Sequence, residues 1–109
     1  MTLNDNIASG LSSLVGIGCQ SGDTVMGLSA VRRVPALAFL FMSSSLSSGT
    51  SQELSRRGKS GTRVFQVSNL AVLTTAAGRN DVSVVGIKPG SLADGIVARL
   101  RELNSTQVE

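Results

Sequence analysis

Between Pro35 and Ser43 the chain carries seven apolar residues in a row, Ala-Leu-Ala-Phe-Leu-Phe-Met at 36–42. A run of that length is too short for a core helix, and it lacks the polar alternation of a half-exposed strand. It predicts a strand buried on both faces. Pro35 supports this by biasing Val34 towards an extended backbone. A strand covered on both faces needs an apolar layer above and below its sheet. The expected fold class is therefore α/β, a three-layer α/β/α sandwich.

The flanking sequence supplies those layers. Ile7, Leu11, Leu14 and Val15 recur at helical spacing and predict a helix over 5–15, capped by Asn4 or Asp5 and ended by Gly16 and Gly18. Gly10 is a weak point inside it. Val25, Leu28 and Val31 predict a second helix over 23–33, capped by Ser21 or Asp23, with Arg32 and Arg33 in its last turn. A serine-rich loop follows the buried strand at 43–49. Thr50-Ser51-Gln52-Glu53 then has the spacing of a capping box, and the third helix is expected to run to about residue 57, where Gly58 ends it. Residues 63–67 read as a strand. A short helix over 70–77 follows, capped by Ser68 or Asn69 and ended by Gly78, and then a strand over 82–87. Pro89-Gly90-Ser91 opens a last helix with Leu92, Ile96, Leu100 and Leu103 on its core face. No repeat or linker interrupts the series, so residues 4–103 are expected to form one domain and 104–109 a polar tail.

Two glycine-bearing motifs invite a phosphate reading. In Gly16-Ile17-Gly18-Cys19-Gln20-Ser21-Gly22 the last spacing is one residue too long for a dinucleotide fingerprint, and the glycines follow a helix rather than a strand. This segment reads as a helix stop and a turn. Gly58-Lys59-Ser60 resembles the end of a P-loop, but Glu53 stands where that motif needs its first glycine.

Charged residues make up 16% of the chain, with Ser and Thr filling many polar positions. The net charge is +3 and the pI about 10.0, which permits a phosphate-bearing partner. There is no histidine, and Cys19 is the only cysteine. A Ser-His-Asp or Cys-His site, an internal disulfide and a cysteine-based zinc site are thereby excluded. The acidic residues show no paired spacing. The chain is expected not to be an enzyme and to carry no cofactor and no metal. Its start, Met1-Thr2-Leu3-Asn4-Asp5, lacks the basic-then-apolar pattern of a signal peptide, and the longest apolar run, 34–42, is far short of the ~20 residues that span a bilayer. A cytoplasmic protein with no membrane partner is expected. If the helices and strands alternate in direction, the starts of the second and third helices share one pole. Arg32, Arg33, Arg56, Arg57, Lys59 and Arg63 then gather at the other, either as a phosphate-contacting patch or as solvated helix ends.

The order of elements and several phrases resemble one family. They are Gln20-Ser21-Gly22-Asp23-Thr24-Val25, the apolar strand leading into Ser43-Ser44-Ser45, and Leu73-Thr74-Thr75-Ala76-Ala77-Gly78-Arg79-Asn80-Asp81-Val82 followed by Val84-Val85-Gly86-Ile87. From about Ile7 to Leu103 the chain is similar to the kink-turn RNA-binding ribosomal proteins, the archaeal L-seven-Ae type and its shorter bacterial relatives. The resemblance implies an α/β/α sandwich with a small mixed sheet. It also implies a non-enzymatic, ribosome-associated protein that binds structured, kink-turn-like RNA. The family's RNA site consists of the start of helix 2, the loop after the buried strand and the loop before the last strand. By resemblance these are Gly22, Asp23 and Thr24; Ser44 and Ser45; and Arg79, Asn80, Asp81 and Val82. At these places the family's best-studied members carry an Asn-Glu pair where Asp23-Thr24 is placed, a lysine where Gly27 lies, and an aspartate where this chain has serines. The alternative expectation is a protein–protein interaction module that kept the fold without RNA recognition.

Overall fold

The computed structural model of the chain describes residues 2–3, 5–78 and 82–108. Its elements run β1 (Thr2–Leu3), α1 (Asp5–Ser21), β2 (Thr24–Met26), α2 (Leu28–Arg33), β3 (Phe39–Ser43), α3 (Ser48–Ser55), β4 (Arg63–Val67), α4 (Ala71–Thr74), β5 (Val84–Ile87) and α5 (Ser91–Val108). Short 3-10 segments continue α3 over Arg56–Ser60 and α4 over Thr75–Ala77. The sheet order is β1-β4-β3-β5-β2. β1, β4 and β3 are parallel, while β5 runs antiparallel to both β3 and β2. The expected α/β/α sandwich with a mixed sheet is what forms.

The apolar run lies at the middle of this sheet, and its side chains divide by the strand period of two. Phe39 and Phe41 face the layer of α1, α4 and α5, together with Phe65, Val67, Val85 and Ile87. Leu40 and Met42 face the layer of α2 and α3, where Val31, Leu54 and Val84 meet them. The rings of Phe39, Phe41 and Phe65 stack with centroids 5.8–6.2 Å apart.

Four local expectations need correction. The last helix does not give way to a tail after Leu103, because α5 continues through the polar stretch to Val108. Helix α1 does not stop at Gly16 or Gly18 but runs through both to Ser21. Its end is a Schellman motif: Gly22 has φ 85°, and the Asp23 N–H donates to the Gly18 carbonyl at 2.9 Å. The helix expected over 23–33 is a strand followed by a helix. Thr24–Met26 pairs with β5 as an edge strand, Gly27 (φ 95°) turns the chain, and α2 begins only at Leu28. The third helix begins earlier than the capping-box reading had it. Ser47 is its cap and accepts the Thr50 N–H on its hydroxyl at 3.3 Å.

Register defines two ends of the sandwich. At one, β3 and β4 finish (Ser43↔Val67), β5 starts (Met42↔Val84) and β2 finishes (Met26↔Val85). At the other lie Phe39, Arg63, Ile87 and Thr24, linked by the pairs Phe39↔Arg63, Phe39↔Ile87 and Thr24↔Ile87. The starts of α2 and α3 follow β2 and β3, so they share the first end, as expected. We refer to these ends as the serine pole and the arginine pole.

Candidate nucleic-acid interface

The serine pole is built where three connections meet. The Ser43 N–H donates to the Ser83 carbonyl at 2.9 Å and the Ser44 N–H to the Val67 carbonyl at 3.2 Å, which ties the loop after β3 to both neighbouring strands. Within that loop the Ser43 and Ser45 hydroxyls are 2.7 Å apart, and the Ser45 N–H donates to Ser43 Oγ at 3.2 Å. The Ser44 hydroxyl reaches the Ser68 carbonyl at 3.4 Å. These groups surround an open cavity of about 250 Å³, lined by Ser43, Ser45, Ser68, Asn69 and Ser83 with the buried Leu70 and Val82 among its walls. The lining offers hydroxyl and amide groups over a small apolar base, and it carries no charged side chain among the described residues. Such a surface can donate and accept hydrogen bonds but has little intrinsic pull on phosphate.

Of the residues expected at the site, Ser44, Ser45 and Val82 come together here. Arg79, Asn80 and Asp81 lie outside the described residues. Gly22, Asp23 and Thr24 are at the opposite pole, because the start of helix 2 is Leu28 rather than Asp23. All three serve the α1–β2 turn. Gly22 closes α1. The Asp23 carboxylate accepts from the Ser21 hydroxyl at 2.9 Å, and the Asp23 carbonyl accepts the Lys88 N–H. The Thr24 hydroxyl donates to the Val15 carbonyl at 3.0 Å. The segment that opens helix 2 at the serine pole is Gly27-Leu28-Ser29, so the positional match of Asp23-Thr24 to the family's Asn-Glu pair does not hold. Ser43, Ser68, Asn69 and Ser83 line the cavity as well, though none is among the residues the resemblance assigns to the site. Ser68-Asn69 was read only as a helix cap, and nothing local says that parallel pairing of β3 with β4 sets it beside Ser44.

The arginine pole gathers the six cations expected there. Arg57 donates to the carbonyls of Val34 (2.7 Å) and Val31 (3.1 Å), capping the end of α2 from 23 or more residues away. Arg32 makes a two-pronged pair with Glu53, at 2.9 and 2.8 Å. That hydrogen bonding holds the Glu53 carboxyl below the usual carboxylate range, with Arg57 and Arg56 adding to the positive field. Both partners are about half exposed, so the pair contributes little to stability. Arg57 is half-buried, and its loss leaves two carbonyls without their charged donor. We expect Arg57→Ala to destabilise the fold by about 1–3 kcal/mol in urea denaturation. A change under about 0.5 kcal/mol, the range of an ordinary surface substitution, would show that solvent satisfies these carbonyls equally well.

Among the described residues, no group of three His, Cys, Asp or Glu side chains is placed to hold a metal ion, and no helix is long and apolar enough to cross a membrane. No family model matches the chain, and no curated protein does. Among solved structures the chain is similar to a protein with unknown function from Bacillus halodurans C, at 23% sequence identity and a TM-score of 0.65. The match covers 86% of this chain and 98% of that one. It is a likeness of fold.

Proposed function

We propose that this is a non-enzymatic, cytoplasmic RNA-binding protein that recognises structured, kink-turn-like RNA through the serine pole, in a ribosome-associated setting. The observation that carries the reading is the convergence of the loops after β3 and β4 and before β5 on one open, hydroxyl-lined cavity. These include two of the three places where the resembling family holds its RNA, and the third, the start of helix 2, lies at the same pole. Serine hydroxyls and the Asn69 amide suit base edges and ribose 2′-hydroxyls, the groups by which bent or looped RNA is told from a plain duplex. The chain has no Trp or Tyr, and its three phenylalanines stack inside the core. Shape and hydrogen bonding, rather than base stacking, are therefore the means of recognition.

The test is a fluorescence titration of a kink-turn RNA against a plain duplex of equal length, at low and raised salt. The expected result is a preference for the kinked RNA that persists at the higher salt. Ser45 is exposed, so Ser45→Glu sets a negative charge beside the RNA without disturbing the core. It should weaken kinked-RNA binding by about tenfold or more, in line with the ~1–3 kcal/mol of a lost specific contact. Equal binding of both RNAs, or an unaffected Ser45→Glu variant, would sink the reading. It would favour instead a protein-interaction module, for which the serine-lined cavity, with no charged side chain among the described residues, and the exposed Ile17 of α1 are the supporting features.

A further inference from the structure

Six of the chain's ten Lys and Arg residues fall in two short stretches, Arg32-Arg33 and 56–63, and the fold makes them one surface. The join is specific. Arg57 donates to the Val31 and Val34 carbonyls. The buried Thr62 hydroxyl donates to the Leu37 carbonyl at 2.7 Å, its N–H reaches the Arg57 carbonyl at 3.4 Å, and the Arg63 N–H donates to the Ala38 carbonyl at 2.9 Å. The end of α2, the loop before β3 and the turn before β4 are thus laced together.

Structural duties account for only part of this charge. Arg57 already serves the helix end, and Arg32 is engaged by Glu53. Arg63 is exposed, with its guanidinium 5.8 Å from the centre of the Phe39 ring. Arg33, Arg56 and Lys59 are exposed, and their side chains make no hydrogen bond or ion pair with any described residue. Among the described residues, Glu53 is the one carboxylate paired with a cation of the cluster; Asp23 belongs to the neighbouring α1–β2 turn beside Lys88. Like charges gathered at one end of the fold repel one another, and an extended anion lying across them relieves that repulsion.

We propose that the arginine pole is a second RNA-contacting surface, one that takes the phosphate backbone of a duplex without regard to sequence. It rests on the reading above for the choice of RNA as the polyanion. Arginine predominates in the cluster, as suits phosphate oxygens. Because this surface is at the far end of the strands from Ser43–Ser45, it adds affinity without taking part in the recognition of shape.

The experiment titrates the full chain against a labelled RNA duplex of about 16 base pairs, the span of a typical duplex-binding domain, from about 50 to about 200 mM KCl. The variant is Arg33→Gln/Arg56→Gln/Lys59→Gln, all at exposed positions, with the thermal midpoint as a folding control. Three lost phosphate contacts should reduce the slope of log affinity against log salt by about 2.7, so the variant loses about 40-fold less affinity than wild type over that range. Glu53→Gln should tighten duplex binding by about threefold, by removing the one opposing charge. Both variants should keep any preference for kinked RNA. A triple variant with the wild-type slope overturns the proposal, as does capture by phosphatidylserine vesicles through these residues without duplex binding. If wild type shows no preference for kinked RNA while the duplex slope still depends on Arg33, Arg56 and Lys59, the serine-pole reading fails and this one stands. If the preference survives and the slope does not respond, the reverse holds.

Discussion

Phe41→Ala is expected to lower the unfolding free energy by about 3–5 kcal/mol, a large part of the ~5–15 kcal/mol that holds a domain of this kind together. Phe41 is fully buried on the central strand. Its ring stacks on Phe39 at 5.9 Å and on Phe65 at 5.8 Å, and its register partners are Phe65 on β4 and Val85 on β5. Truncation removes one of the three mutually stacked rings beneath α1, α4 and α5, and neighbours held on three paired strands cannot collapse into the gap. Phe41→Leu keeps most of the volume and should cost well under half as much. With no Trp or Tyr in the chain, far-ultraviolet circular dichroism in urea is the suitable measurement. The midpoint should fall with little change in slope. A loss under about 1 kcal/mol would mean that this face of the sheet is not packed as described.

That central strand is also where the sequence was most legible. An apolar run too short for a helix and without alternation admits little but a doubly covered strand, and the layers above and below it follow. Residues 63–67 were equally clear, and β4 has those bounds. What could not be read locally depends on pairing. Thr24-Val25-Met26 is three residues long and runs into a helix, so Val25, Leu28 and Val31 mimic a single helical stripe; only hydrogen bonding to β5 makes the first three a strand. β1 has two residues and exists through its pairing with β4. Gly16 and Gly18 looked like helix stops because propensity alone disfavours them inside a helix. The candidate site suffered from the same limit. Placing the start of helix 2 one short strand too early grouped Gly22, Asp23 and Thr24 with Ser44 and Ser45, from which the fold separates them. Ser68, Asn69 and Ser83, which complete the cavity, gave no local sign of meeting Ser43. The basic pole was foreseen because it needed only the alternating direction of the elements.

Gly18→Ala is the sharpest test of the α1–β2 junction, since local propensity and packing predict opposite signs. Inside an exposed helix this change gains about 1 kcal/mol. At Gly18 the added methyl group would collide with the Thr24 hydroxyl and with Leu92 Cδ2, and would sit 3.1 Å from Thr24 Cβ. Thr24 is short and branched at Cβ, and its hydroxyl is committed to the Val15 carbonyl, so it cannot swing aside without giving up that bond. Leu92 would have to leave its place against the core. We expect a net loss of about 2–4 kcal/mol, from overpacking and the weakened hydrogen bond together. Gly49 in α3 has open space around its would-be Cβ, and Gly49→Ala should be neutral or stabilise by up to about 1 kcal/mol. Equal or greater stability of Gly18→Ala would mean that β2 does not lie against α1 as described. The same variant separates the two placements of the proposed RNA site. Were Gly22, Asp23 and Thr24 the contact, displacing Thr24 would weaken kinked-RNA binding even at temperatures where the protein stays folded. With the site at the serine pole, at the far end of β2, the folded Gly18→Ala protein should bind that RNA as wild type does.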